Sequence, residues 1–135
     1  MSDRADIENV FNRYSLAYDK PDLDEMEACF TPDAVMSMRI AGGDLIGPFE
    51  GRDAIMTLMR DSLASQSDQR RHLTTNLVLR SQTESSASTE SYLTLISVAD
   101  GALTVLSTAV YVDELVKRDG QWLFTKRHIE LDLPY

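Results

Sequence analysis

Two histidines, His72 and His128, carry the side chains of this 135-residue chain best suited to proton transfer near neutral pH. His72 follows Arg70-Arg71 and opens the run Leu73-Thr74-Thr75-Asn76, at a loop-to-strand junction. An imidazole there can act as a base if a carboxylate holds its other ring nitrogen, which fixes the tautomer and strengthens the base. The plainer alternative is a strand-start histidine satisfied by water. Carboxylates gather where the first helical segment ends, at Asp19, Asp22 and Asp24. An acid at a helix C-terminus opposes the helix dipole, a hint that Asp19 serves something besides the helix. Tyr14 lies on the apolar stripe of that helix, where a core tyrosine with its hydroxyl at an edge is the commoner arrangement. Arg127 alternates with Leu123, Thr125, Ile129 and Leu131 on a strand-like run. An arginine on an apolar strand face needs a partner: Asp19, an anionic ligand atom, or a rim acid such as Glu130 or Asp132. Its replacement by leucine is expected to spare the fold and to cost ligand affinity. His128 and Glu130 fall on the opposite face of the same run and read as polar residues on a solvent or interface side.

Other chemistries are excluded. Cys29 is the single cysteine, so neither an internal disulfide nor a thiolate metal site can form. The histidines are too far apart in register for a metal site, and no glycine-rich phosphate loop follows a strand, so neither metal nor nucleotide cofactor is indicated. The net charge of −9, from 13 basic and 22 acidic residues, argues against a nucleic-acid surface. The N-terminus lacks a basic-then-apolar signal and no apolar run approaches membrane-spanning length. The expectation is a cytoplasmic protein that engages neither membrane nor nucleic acid.

The elements that must position these residues form a single domain over 1–135. Ile7, Val10, Phe11, Tyr14, Ala17 and Tyr18 recur at helical spacing between Asp3, a candidate cap, and Pro21, which stops the helix. A second helix is predicted over 23–30, a strand over 34–40, a turn at Ala41-Gly42-Gly43-Asp44, a short return strand over 45–49, and a third helix after Gly51. A polar, irregular stretch is expected over 65–71. Four extended runs follow, 73–82, 87–99, 102–118 and 122–131. Asp100-Gly101 and Asp119-Gly120 separate the later ones, and Asp-Gly between extended runs is a strong hairpin signal. Helices gathered ahead of an antiparallel meander indicate an α+β fold. In the run 102–118, Leu103, Val105 and Ala109 are expected on one face and Leu106, Val110 and Val112 on the other. Apolar residues on both faces imply a homo-oligomer, a dimer or trimer.

Several stretches resemble one superfamily in order along the chain: Tyr14-Ser15-Leu16-Ala17-Tyr18-Asp19, Leu23-Asp24, Phe30-Thr31-Pro32-Asp33-Ala34, Gly47-Pro48-Phe49-Glu50-Gly51-Arg52, Arg71-His72-Leu73-Thr74-Thr75-Asn76 and Arg118-Asp119-Gly120-Gln121-Trp122. Together they are similar to the SnoaL-like, nuclear transport factor 2-like superfamily. The nearest likeness is to its dehydratase–dehydrochlorinase branch, which includes scytalone dehydratase and bile-acid 7α-dehydratase. The resemblance implies a cystatin-like cone-shaped roll: three N-terminal helices packed on a strongly bent, mostly antiparallel sheet. It also implies an Asp–His general base at Asp19 and His72, with Tyr14 and Arg127 binding the substrate. The implied activity is that of a cofactor-independent lyase acting on a small hydrophobic cyclic substrate. Pocket walls are expected from Val10, Met26, Phe30 and Tyr92. A non-catalytic small-molecule-binding or assembly domain, and an isomerase or polyketide-cyclase-type enzyme of the same fold, are the alternatives.

Overall fold

The computed structural model describes residues 3–135. Nine elements follow one another: α1 (Arg4–Asp19), α2 (Leu23–Glu27), β1 (Phe30–Ile40), β2 (Ile46–Glu50), α3 (Arg52–Ala64), β3 (Gln69–Gln82), β4 (Ser86–Ala99), β5 (Ala102–Arg118) and β6 (Gln121–Leu131). The strands form one six-stranded sheet in the order β2-β1-β6-β5-β4-β3. Every neighbouring pair is antiparallel except β1 and β6, which run parallel. The three helices cover one face, burying Ile7, Val10, Phe11 and Tyr14 of α1, Met26 of α2, and Ile55, Met56 and Met59 of α3 against it.

The two Asp-Gly pairs turn as expected, with positive φ at both residues: 52° and 75° at Asp100-Gly101, 52° and 78° at Asp119-Gly120. That is the two-residue geometry whose twist matches the flanking strands. Residues 102–131 therefore form one long hairpin. Register slips bend the sheet. β3 slips against β4 around Asn76, whose φ is 58°. β5 slips against β4 around Leu106, and β6 against β5 around Thr125.

These slips account for the departures from simple alternation. Leu103 and Val105 do not share a face with Ala109: they are 69% and 58% exposed while Ala109 is buried, because the slip at Leu106 switches parity. Likewise Arg127 shares the inner face with Trp122 and Phe124, not with Leu123 and Thr125, because the extra residue at Thr125 resets the strand. α2 ends at Glu27 rather than at 30, since Phe30 already belongs to β1 and the Cys29 carbonyl accepts the Phe124 N–H at 2.8 Å. β3 begins at Gln69, inside the stretch expected to be irregular. Asp3 makes no side-chain cap on α1; its carboxylate meets Lys117 Nζ at 3.3 Å instead. No helix among the described residues is long and apolar enough to cross a membrane.

Candidate active site

Pro21 terminates α1 just beyond Asp19, and β3 enters the sheet alongside that terminus. The two meet through one carboxylate. Asp19 Oδ1 lies 2.6 Å from His72 Nδ1, and Asp19 Oδ2 accepts the His72 backbone N–H at 3.0 Å. Both side chains are 6% exposed. A carboxylate only accepts, so it holds a proton on Nδ1 and leaves Nε2 with its lone pair. The Tyr18 ring packs on the imidazole, centroids 4.2 Å apart, and fixes its plane. The Asp19 carbonyl also accepts from Gln69 Nε2 at 2.9 Å, tying the helix end to the start of β3. Asp22, one of the alternative acids, is committed elsewhere: it is the N-cap of α2 and accepts the Glu25 N–H at 3.1 Å.

His72 opens onto an apolar pocket of about 160 Å³ between helices and sheet. Its walls are Tyr14 and Tyr18 of α1, Leu58, Met59 and Ser62 of α3, Met36 and Met38 of β1, Leu93, Tyr111, Ile129 and Leu131 of the later strands, and Tyr135. The expected walls Val10, Met26 and Phe30 are filled core, and Tyr92 is half exposed on the outer sheet face. Strand parity explains this: Leu93, not Tyr92, points inward. Burial raises the phenol pKa of Tyr14, Tyr18, Tyr111 and Tyr135, so the polar atoms these rings offer are neutral hydroxyl donors.

Arg127 lies beneath that pocket rather than in its wall. It is 1% exposed, and its Nε and Nη2 donate to the two Asp113 oxygens at 2.8 and 3.1 Å. Its partner is thus none of Asp19, Glu130 or Asp132. Asp113 faces it in register on β5, which only the slip at Thr125 brings about. The guanidinium sits among four aromatic rings, nearest Tyr111 at 3.8 Å, then Phe124 at 4.3 Å, Tyr14 at 4.7 Å and Phe11 at 5.2 Å. Nη1 is buried with no hydrogen-bond partner. Burial works against the charge of Arg127, but Asp113 together with the Tyr111 and Tyr14 phenols outweighs it and raises its pKa, whereas burial pushes the Asp113 carboxyl up against the pull of Arg127. Asp113 is not among the acids expected from the sequence to pair with Arg127. Its signal in the sequence is the alternation Ala109, Tyr111, Asp113, Leu115, an acid in an otherwise inward series. Among the described residues no group of histidines, cysteines and acids could hold a metal ion.

A curled six-stranded sheet with helices on one face and an apolar pocket between the two defines a cystatin-like α+β cone. The chain belongs to the SnoaL-like domain family, whose profile matches residues 1–128. That family includes dehydratases, dehydrochlorinases and isomerases, and its domains bind small hydrophobic ligands. Gamma-hexachlorocyclohexane dehydrochlorinase of Sphingobium indicum is 26% identical over 129 residues, spanning 95% of this chain and 80% of that protein. A protein from Catenulispora acidiphila, solved in complex with S-DNPA, is 28% identical with a TM-score of 0.81, covering 96% of this chain and 92% of the other. A protein with a cystatin-like fold from Nostoc punctiforme superposes with a TM-score of 0.81 over 98% of this chain and 94% of its own; at 24% identity that likeness shows the fold alone.

Proposed function

We propose that this protein is a cofactor-independent lyase of the dehydratase or dehydrochlorinase type, with Asp19 and His72 as its general base. The observation that carries the reading is the state of His72. Its ring lines an apolar pocket while Nδ1 and the backbone N–H are both taken by Asp19. Nε2 is then the free base, aimed at whatever the pocket holds. A cavity of about 160 Å³ suits one six-membered ring, since an apolar cavity of about 150 Å³ accommodates benzene. The substrate class is therefore a small hydrophobic cyclic molecule bearing a hydroxyl or halide next to an acidic C–H.

In the elimination, Nε2 takes the proton from carbon, the electron pair forms the double bond, and the leaving group departs from the adjacent carbon. The phenols of Tyr14 and Tyr111 are the donors available to that departing atom. Arg127 contributes from behind: a guanidinium against the ring faces of Tyr111 and Tyr14 makes their hydroxyls stronger donors. The likeness to a dehydrochlorinase supports the same class. Isomerisation begins from the same proton abstraction and is the neighbouring reading.

The test is chloride release from gamma-hexachlorocyclohexane, alongside loss of water from a cyclic β-hydroxy ketone, with wild type and His72→Gln. Turnover by the wild type that falls at least about 100-fold in the variant is expected for removal of a general base. Ligand binding without turnover, equal in both proteins, would overturn the lyase reading in favour of a binding domain.

A further inference from the structure

Outside the pocket, on the opposite face of the sheet, lies a second relay of polar side chains that the lyase reading does not use. Ser37 on β1 and His128 on β6 are register partners in the parallel pairing, and Ser37 Oγ lies 2.7 Å from His128 Nδ1. The other ring nitrogen, Nε2, lies 2.7 Å from Glu130 Oε1. Arg39, the register partner of Glu130, reaches that same oxygen at 3.7 Å. Two strands running the same way, with alternate residues on one face, put Ser37 beside His128 and Arg39 beside Glu130. The Glu130 carboxylate accepts the proton of Nε2, which leaves the lone pair of Nδ1 for the Ser37 hydroxyl. The His128 side chain is 22% exposed, sheltered yet reachable. A hollow of about 340 Å³ opens beside it, lined by Ser37, Val112, Glu114, Lys126 and His128. It shares no lining residue with the pocket of His72.

We propose that Ser37 is a nucleophile activated by His128, with Glu130 and Arg39 as positioning residues, and that the hollow takes small, neutral, activated carboxylic esters. A serine hydroxyl is a weak nucleophile until a base held by a third group takes its proton, and this is the arrangement those three side chains form. Ser37 Oγ bonds to the acyl carbon while its proton passes to Nδ1. The ester C–O bond breaks, and the departing alkoxide takes that proton. A water molecule deprotonated by the same nitrogen then releases the acid and restores the serine. Positive charge for the developing oxyanion comes from Lys126, which lines the same hollow. Glu114, opposite Lys126 in register, balances that charge and disfavours anionic substrates. Val112 offers the apolar footing for a short acyl chain.

This inference does not rest on the Asp19–His72 reading, and elimination activity is not its readout. The test is labelling of the full chain with a fluorophosphonate, the adduct located by peptide mass spectrometry, together with hydrolysis of p-nitrophenyl acetate. One adduct on Ser37 is expected, lost in Ser37→Ala with the thermal unfolding curve unchanged. His128→Gln should slow labelling about 100-fold, the scale of a lost general base. Glu130→Gln should slow it about tenfold and shift the pH profile of labelling, which a merely structural role would not do. Absence of an adduct on Ser37, whether from low reactivity or because a second copy of the chain covers this face, would overturn the proposal. An unchanged labelling rate in a folded His128→Gln would do the same.

Discussion

Removing Arg127 alone should destabilise this protein more than removing Arg127 and Asp113 together. From the sequence, Arg127→Leu reads as tolerable, because an apolar residue on an apolar strand face needs no partner. The structure reverses that expectation. The Asp113 side chain is fully buried and held by two hydrogen bonds from Arg127. With the guanidinium gone, the carboxylate stays in a site where burial already pushes its pKa up. Breaking a buried pair from one side costs about 3–5 kcal/mol. At ~2.1 cal/mol/K of unfolding entropy per residue over 135 residues, that lowers Tm by about 10–18 °C. Replacing both residues by leucine removes the stranded charge and should recover most of the loss. The sign with pH follows from the raised carboxyl. The folded variant binds a proton more tightly than its unfolded chain, so stability falls as pH rises above the unfolded carboxylate value of about 4. Arg127→Leu should therefore regain stability relative to wild type between pH 7 and pH 5. Urea and thermal unfolding followed by circular dichroism provide the assay. A loss below about 1 kcal/mol at pH 7, or a double variant no more stable than the single one, would refute the reasoning.

Asp19→Asn should lower turnover about 100-fold or more while ligand affinity, measured by calorimetry, changes only a few-fold, because the ring keeps its place but loses its oriented tautomer. Asp22→Ala should cost about 1 kcal/mol through the lost α2 cap and leave turnover alone, which separates the two neighbouring acids by function. At alkaline pH, burial holds the Cys29 thiol up to about 11 and raises Tyr14 as well. Their contribution is intact below the unfolded thiol value of about 8.5 and is lost as pH rises through the folded one. Urea midpoints should accordingly fall between pH 9 and pH 11, less steeply in Cys29→Ala, and a flat profile would contradict the burial argument.

The chain's periodicity and punctuation determine α1, α3 and the two later hairpins of this fold on their own. Apolar spacing of 3.6 marks α1 and α3, Pro21 ends α1, and the two Asp-Gly pairs set the hairpins, because each is a local steric or hydrogen-bonding rule that needs no distant partner. The resemblance to the SnoaL-like family couples Asp19 with His72, and the structure brings those two side chains to 2.6 Å. What the sequence could not reveal depends on register between strands far apart in the chain. One extra residue at Thr125 and another near Leu106 flip the parity of everything beyond them, and the energy that selects those slips is the packing of the whole sheet against the helices. Hence Arg127 faces Asp113 instead of the expected acids, and Leu103 and Val105 part from Ala109. The parallel pairing of β1 with β6 brings Ser37 to His128 across 91 residues of chain. No local rule encodes that meeting, because it exists only once the last strand finds its slot beside the first.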